Sequence, residues 1–222
     1  VREYFRQLGE AIRFTKKSKR IFCLLLYFGL VSGLIYNLTT FRSSVLEGIS
    51  IPEHYFGIIF AISQMVAAIC AKAQIFIHKR FRNKTLAVLG IPLTISCIII
   101  GFLAMIGTST TFKVIIVLLF VFQGAIKGAY NVLIYRYLNN FTNRKIRTKL
   151  ATIRNMFYNI SSILISLFGA MLLNYTDSAN TIIIVGCMMT ILIILLLDYM
   201  RGKVGLKPEQ YKKEDLKYMP KK

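Results

Sequence analysis

Six apolar runs, at residues 21–41, 55–77, 85–107, 114–137, 151–174 and 180–199, govern what this chain can fold into. A helix rising 1.5 Å per residue needs about 20 residues to cross a hydrocarbon core of about 30 Å, and each run meets that length. Backbone groups in lipid must be satisfied within the segment, so each run is expected to be a helix and no strand is required. Gly90 and Pro92 within the third run are compatible with this, because neighbouring helices can satisfy the freed groups of a membrane helix. Composition agrees: 55% of the 222 residues are hydrophobic, more than a soluble core of this size would hide. The expected fold is therefore an all-α membrane protein of six transmembrane helices spanning 21–200.

The net charge of +20 sits between these runs and not along a soluble face, which argues against nucleic acid and for basic flanks on anionic lipid. Counted along the chain, the segments outside the runs carry seven, one, four, one, four, no and eight Lys or Arg residues. Such an alternation places the amino end, the loop of Lys79, Arg80, Arg82 and Lys84, the loop of Arg144, Lys145, Arg147 and Lys149, and the carboxyl end in the cytoplasm. A cytoplasmic membrane location with both termini inside follows. Residues 1–20 set Val1, Phe5, Leu8 and Ile12 on one helical face, as expected of an amphipathic linker lying on the membrane surface. Residues 201–222 are charged and lack apolar periodicity, as expected of a solvated basic tail.

Polar residues are unevenly shared among the runs. Tyr27, Ser32, Tyr36 and Asn37 mark the first, Gln64 and Lys72 the second, Gln123, Lys127 and Asn131 the fourth, and Asn155, Asn159, Ser162 and Ser166 the fifth. The third and sixth are nearly featureless in their middles and are expected to face lipid. Lining helices one, two, four and five with peripheral helices three and six have the form of a three-helix unit repeated, as in the inverted repeats of transporters. Polar residues of this kind also join helices without any ligand, and Gly124 and Gly128 have the spacing of a close helix contact.

Lys127 stands apart. It lies near the middle of its run, where a lysine costs about 2.5–3.5 kcal/mol on insertion scales, and no Asp or Glu occurs at that depth. A water-filled cavity, an anionic ligand or a partner carboxylate from elsewhere would offset that cost. Lys72 is close enough to its helix end to snorkel, and Arg136, Arg154 and Asp198 read as boundary or gate charges. The four cysteines lie within apolar runs without CxxC spacing, so neither disulfide nor zinc is indicated. The chain holds no HExxH, GxSxG or P-loop pattern and only His54 and His78, so neither an enzyme nor a cofactor is expected.

Two stretches carry a family resemblance. IHKRFRNKTLAVLG stands where transporters of the major facilitator superfamily show a basic loop of the form G-x-x-x-D-R-x-G-R-K, with Lys79 in place of the Asp and Arg82 in place of the Gly. In the stretch 131–172, Lys149, Ala151, Thr152, Asn155 and Gly169 fall where members show a basic entry followed by a polar helix ending in glycine, and KVGLKPEQY is similar to the tails of bacterial members. The chain thus resembles the C-terminal six-helix half of such a transporter. That resemblance implies alternating access around a midplane site, with Lys127, Gln123, Asn131, Asn37 and Gln64 lining the cavity. It also implies two partners, a small-molecule substrate and an N-terminal six-helix half or a second copy. Efflux of an organic molecule and uptake of an anionic nutrient both fit, as does a self-standing six-helix scaffold.

Overall fold

In the computed structural model, the described residues are 19–81, 84–107, 109–140 and 144–200, with side chains described from 21 and not for 140–149. The amphipathic segment expected over residues 1–18 and the tail expected over 201–222 lie outside them. Six long helices account for nearly all of the rest: α1 Lys19–Gly48, α2 Phe56–Phe81, α3 Thr85–Ile106, α4 Thr110–Asn140, α5 Arg144–Leu173 and α6 Ser178–Tyr199. All six are long and apolar enough to cross a membrane. No strand occurs among the described residues. A single turn of 3-10 helix, Glu53–Tyr55, opens α2.

The largest difference from expectation is at the end of α1, which continues past residue 41 for two further turns. Charge at Arg42 suggests a boundary, yet Phe41, Val45, Leu46 and Ile49 carry the apolar period onward and all are buried. Arg42 is therefore a residue within a spanning helix and not part of a loop. The loop after α1 then contains no described cation, which sharpens the charge alternation. Ser50 closes this corner in the left-handed region with φ 56°, and its carbonyl accepts a hydrogen bond from Lys113 Nζ at 3.2 Å.

The principal packings are α2 with α4, α3 with α6, and α1 with α5, followed by α1 with α6 and α4 with α3. Exchanging α1 with α4, α2 with α5 and α3 with α6 leaves this set unchanged. The bundle is thus two three-helix units, related as inverted repeats, and paired glycines set the same close approach in each. On α4, a Cβ at Gly124 or Gly128 would run into the backbone of Ser63 or Ala67 on α2. On α1, a Cβ at Gly29 would lie 2.8 Å from the Phe157 carbonyl oxygen of α5, and one at Gly33 3.0 Å from the Ser162 nitrogen. Small residues let helix backbones touch where apolar burial from water supplies no drive.

Helix α1 is the centre of the bundle, with 72% of its spanning window buried against 17% for α2 and 22% for α5. Its core residues include Leu24, Leu25, Val31, Leu34 and Leu38. The third and sixth helices do not stand free: Gly101 and Gly186 press them together, and Leu93, Cys97, Val185 and Met189 fill their seam. Of the six, α2 and α5 are the most exposed.

Candidate functional site

A period of four residues places Gln123, Lys127, Asn131 and Tyr135 on one stripe of α4. Three of them, Lys127, Asn131 and Tyr135, border a cleft of about 310 Å³ between α1, α4 and α5. From α1 come Phe28, Ser32, Tyr36 and Thr39; from α5 come Asn155 and Tyr158. Aromatic rings form much of the wall. Tyr36 and Tyr158 meet edge to face with centroids 6.0 Å apart, and Phe28 meets Tyr135 in the same manner at 6.1 Å. Arg154, one residue before Asn155, stacks its guanidinium 4.1 Å from the Tyr135 centroid and 5.6 Å from that of Phe28. The cleft therefore offers an apolar aromatic body, hydroxyl and amide groups, and cations, and none of its lining residues is acidic.

Lys127 is half-buried, and its Nζ donates to Gln64 Oε1 at 3.5 Å. Gln64 itself is exposed on α2 and lies outside the residues that border the cleft. One turn along α4, Gln123 is buried with 1% exposure and bridges helices. Its Nε2 donates to Ser96 Oγ at 2.9 Å, while its Oε1 accepts from Arg42 Nη2 at 3.3 Å. Asn37 is likewise enclosed: its Nδ2 donates to the carbonyls of Gly33 at 2.9 Å and Ser162 at 3.1 Å, and its Oδ1 accepts from Ser166 Oγ. Of the five residues singled out in the sequence, Lys127 and Asn131 thus reach the cleft. Gln64 supports Lys127 from behind, and Asn37 and Gln123 serve as interhelical ties.

This division has a measurable consequence. Loss of the Asn37 bonds in Asn37→Ala is expected to lower stability by about 1–2 kcal/mol, since interhelical bonds in membranes average about 0.6 kcal/mol each. Asn131→Ala, at the cleft surface, should stay within about 0.5 kcal/mol. Thermal unfolding of the two variants in mild detergent checks the contrast.

The residue that sequence reading missed is Arg42. Its guanidinium is buried, with 7% of the residue exposed, and it sits 5.4 Å over the Phe120 ring. Nη1 donates to Ser63 Oγ at 3.4 Å and Nη2 to Gln123, while Nε has no hydrogen-bond partner. The four described carboxylates, Glu47, Glu53, Asp177 and Asp198, are exposed at helix ends or connections, and none pairs with it. A signal was present in the sequence, namely the unbroken apolar period across residue 42.

A family model described as Major Facilitator Superfamily matches residues 79–217. The chain belongs to that superfamily. The match runs from the end of α2 beyond α6, and together with six spanning helices it makes the chain a multi-pass membrane protein built as a half domain of this transporter superfamily. Comparison with curated proteins returns no match, and comparison with solved structures returns none. Membership of the superfamily gives the cleft its context, a transporter in general terms and not an enzyme family.

Proposed function

We propose that this chain is the C-terminal half of a secondary active transporter that moves a small solute across the cytoplasmic membrane by alternating access. The observation that carries the reading is the polar cleft bordered by α1, α4 and α5, which opens from mid-helix positions of a membrane bundle. A cleft at that depth, holding Lys127 and Asn131, has the placement of a solute site between repeats. Two exposed helices support the other half of the proposal. Ile62, Met65 and Ile69 on α2, and Ile163, Leu164 and Leu167 on α5, are bare apolar surface beside the exposed polar groups Gln64, Lys72 and Asn159. Polar groups on a wholly lipid-facing surface are costly. An N-terminal six-helix half is the partner that would cover both helices and close the cleft into a cavity. The basic end of the bundle, which carries Lys79, Arg80 and Lys84, is assigned to the cytoplasm by the positive-inside rule.

Single cysteines at Asn131, Asn155, Ile69 and Leu167 in the full-length protein test this reading. Cysteines at 131 and 155 are expected to react with a membrane-impermeant thiol reagent from one side of the membrane, and to change side or rate several-fold when a transported solute is present. Cysteines at 69 and 167 should be shielded from lipid-dissolved reagents once the partner half is bound. Uniform lipid accessibility of 69 and 167, with no side-dependence at 131 and 155, would instead describe a self-standing six-helix scaffold.

A further inference from the structure

Whatever occupies the cleft must satisfy its charge. Lys127 faces it with only the neutral Gln64 as a described hydrogen-bond partner, and Arg154 sits behind the Tyr135 wall with its Nε unpartnered. Arg42 adds a third positive charge behind Gln123, again held only by neutral groups. A cation in the middle of a span, as Lys127 is, is stabilised by opposite charge or water, and among the described residues no carboxylate is placed to supply the charge. The remaining wall has a definite shape. Tyr36, Tyr158, Phe28 and Tyr135 present ring edges and faces to a space of about 310 Å³, at the lower end of the range that holds a small organic ligand.

Resting on the transporter reading above, we infer that the solute is a small aromatic organic anion, its carboxylate or equivalent acid group on Lys127 and its ring against the aromatic wall of the cleft. Asn131 offers its amide to polar ring substituents and Asn155 its Nδ2, the Asn155 Oδ1 accepting from Arg154 Nη2 at 3.4 Å, and Arg42 and Arg154 raise the local positive potential without touching the ligand. An inorganic anion would leave the aromatic walls unused, and an aromatic cation would meet three like charges. Charge and ring are therefore both required for recognition.

The test uses the full-length protein in liposomes with three aromatic probes of one size, 4-nitrobenzoate, its neutral amide and 4-nitrobenzylammonium, and with acetate as an anion without a ring. Binding is read by calorimetry and flux by uptake under imposed ion gradients. The benzoate is expected to bind at least tenfold tighter than the amide or acetate, with no binding of the ammonium. Lys127→Gln should weaken benzoate binding about 10- to 100-fold while leaving the weak amide binding unchanged, in line with loss of one charge-assisted bond in a desolvated site. Lys127→Arg should restore most of the affinity. Equal binding of amide and benzoate, preference for the ammonium, or benzoate binding that ignores Lys127→Gln would each overturn the assignment, as would failure of all four probes to bind. Flux separates this proposal from the one it rests on. Charge-selective binding with no flux under any gradient keeps the anion site and removes the transporter reading, whereas flux of the amide or ammonium alone keeps transport and removes the anion.

Discussion

Gly128→Leu is expected to abolish the folded bundle. A Cβ at this position would lie 2.6 Å from the Ala67 carbonyl carbon and closer still to its oxygen, so the obstruction is backbone and no rotamer change relieves it. The two helices would have to separate along their most extensive contact. Overpacking of a well-filled core costs about 1–3 kcal/mol when side chains can adjust; here, where they cannot, the cost should exceed that range. Loss of a monodisperse peak on size exclusion in mild detergent, or a fall in unfolding temperature too large to measure, is the expected readout. Gly57→Ala is the control, since nothing lies within 4 Å of a Cβ there. It should stay within about 1 kcal/mol of the parent, and the greater helix propensity of alanine should favour the variant. If Gly128→Leu folded as well as Gly57→Ala, the close α2–α4 packing described above would be wrong.

The second large effect concerns Arg42. A buried cation is expected to be a liability for stability. Removing it from the bilayer interior returns up to about 2.5–3.5 kcal/mol on insertion scales, while leaving Gln123 Oε1 without its donor costs about 1–3 kcal/mol. Arg42→Met, which conserves length and apolar contact with Phe120, should therefore leave thermal stability unchanged or slightly raised. Transport, in contrast, should fall at least tenfold, because the positive potential behind the cleft is lost. Arg42→Lys keeps the charge but not the two-pronged reach to Ser63 and Gln123, so intermediate transport is expected. A drop of about 3 kcal/mol or more in Arg42→Met would mark the guanidinium as a structural tie. Stability retained with transport lost would mark it as functional.

Lys127 and Arg42 illustrate two different kinds of legibility. Lysine at the centre of a long apolar run is conspicuous on its own helix, and the structure places it on the cleft as its depth suggests. Arginine at residue 42 looked like the end of a run, since charge normally marks a membrane boundary. Only its neighbours on α2 and α4 show it to be enclosed. Asn37 and Gln123 are the converse. Each lies on a polar stripe, yet their amides are taken up by Ser162 and Ser166 in one case and by Ser96 and Arg42 in the other. Stripe position cannot distinguish an amide that faces a cleft from one that faces a helix.

By itself the sequence determined what depends on one helix at a time. Six spans, their order and the alternation of basic connections follow from hydrocarbon thickness and the cost of moving charge across it. The four-residue stripe on α4 follows from helical periodicity. Tertiary structure alone decided which stripes meet. It placed Gly29 and Gly33 against α5 and Gly124 and Gly128 against α2, so that the repeat became visible as a symmetry of packing. It also gathered Tyr36, Lys127, Tyr135 and Tyr158 around one cleft and buried Arg42 against Ser63 of α2 and Gln123 of α4. The physical reason is that lipid tails are as apolar as leucine: hydrophobicity inserts a helix without choosing its neighbour, and close fit and polar contacts then select it.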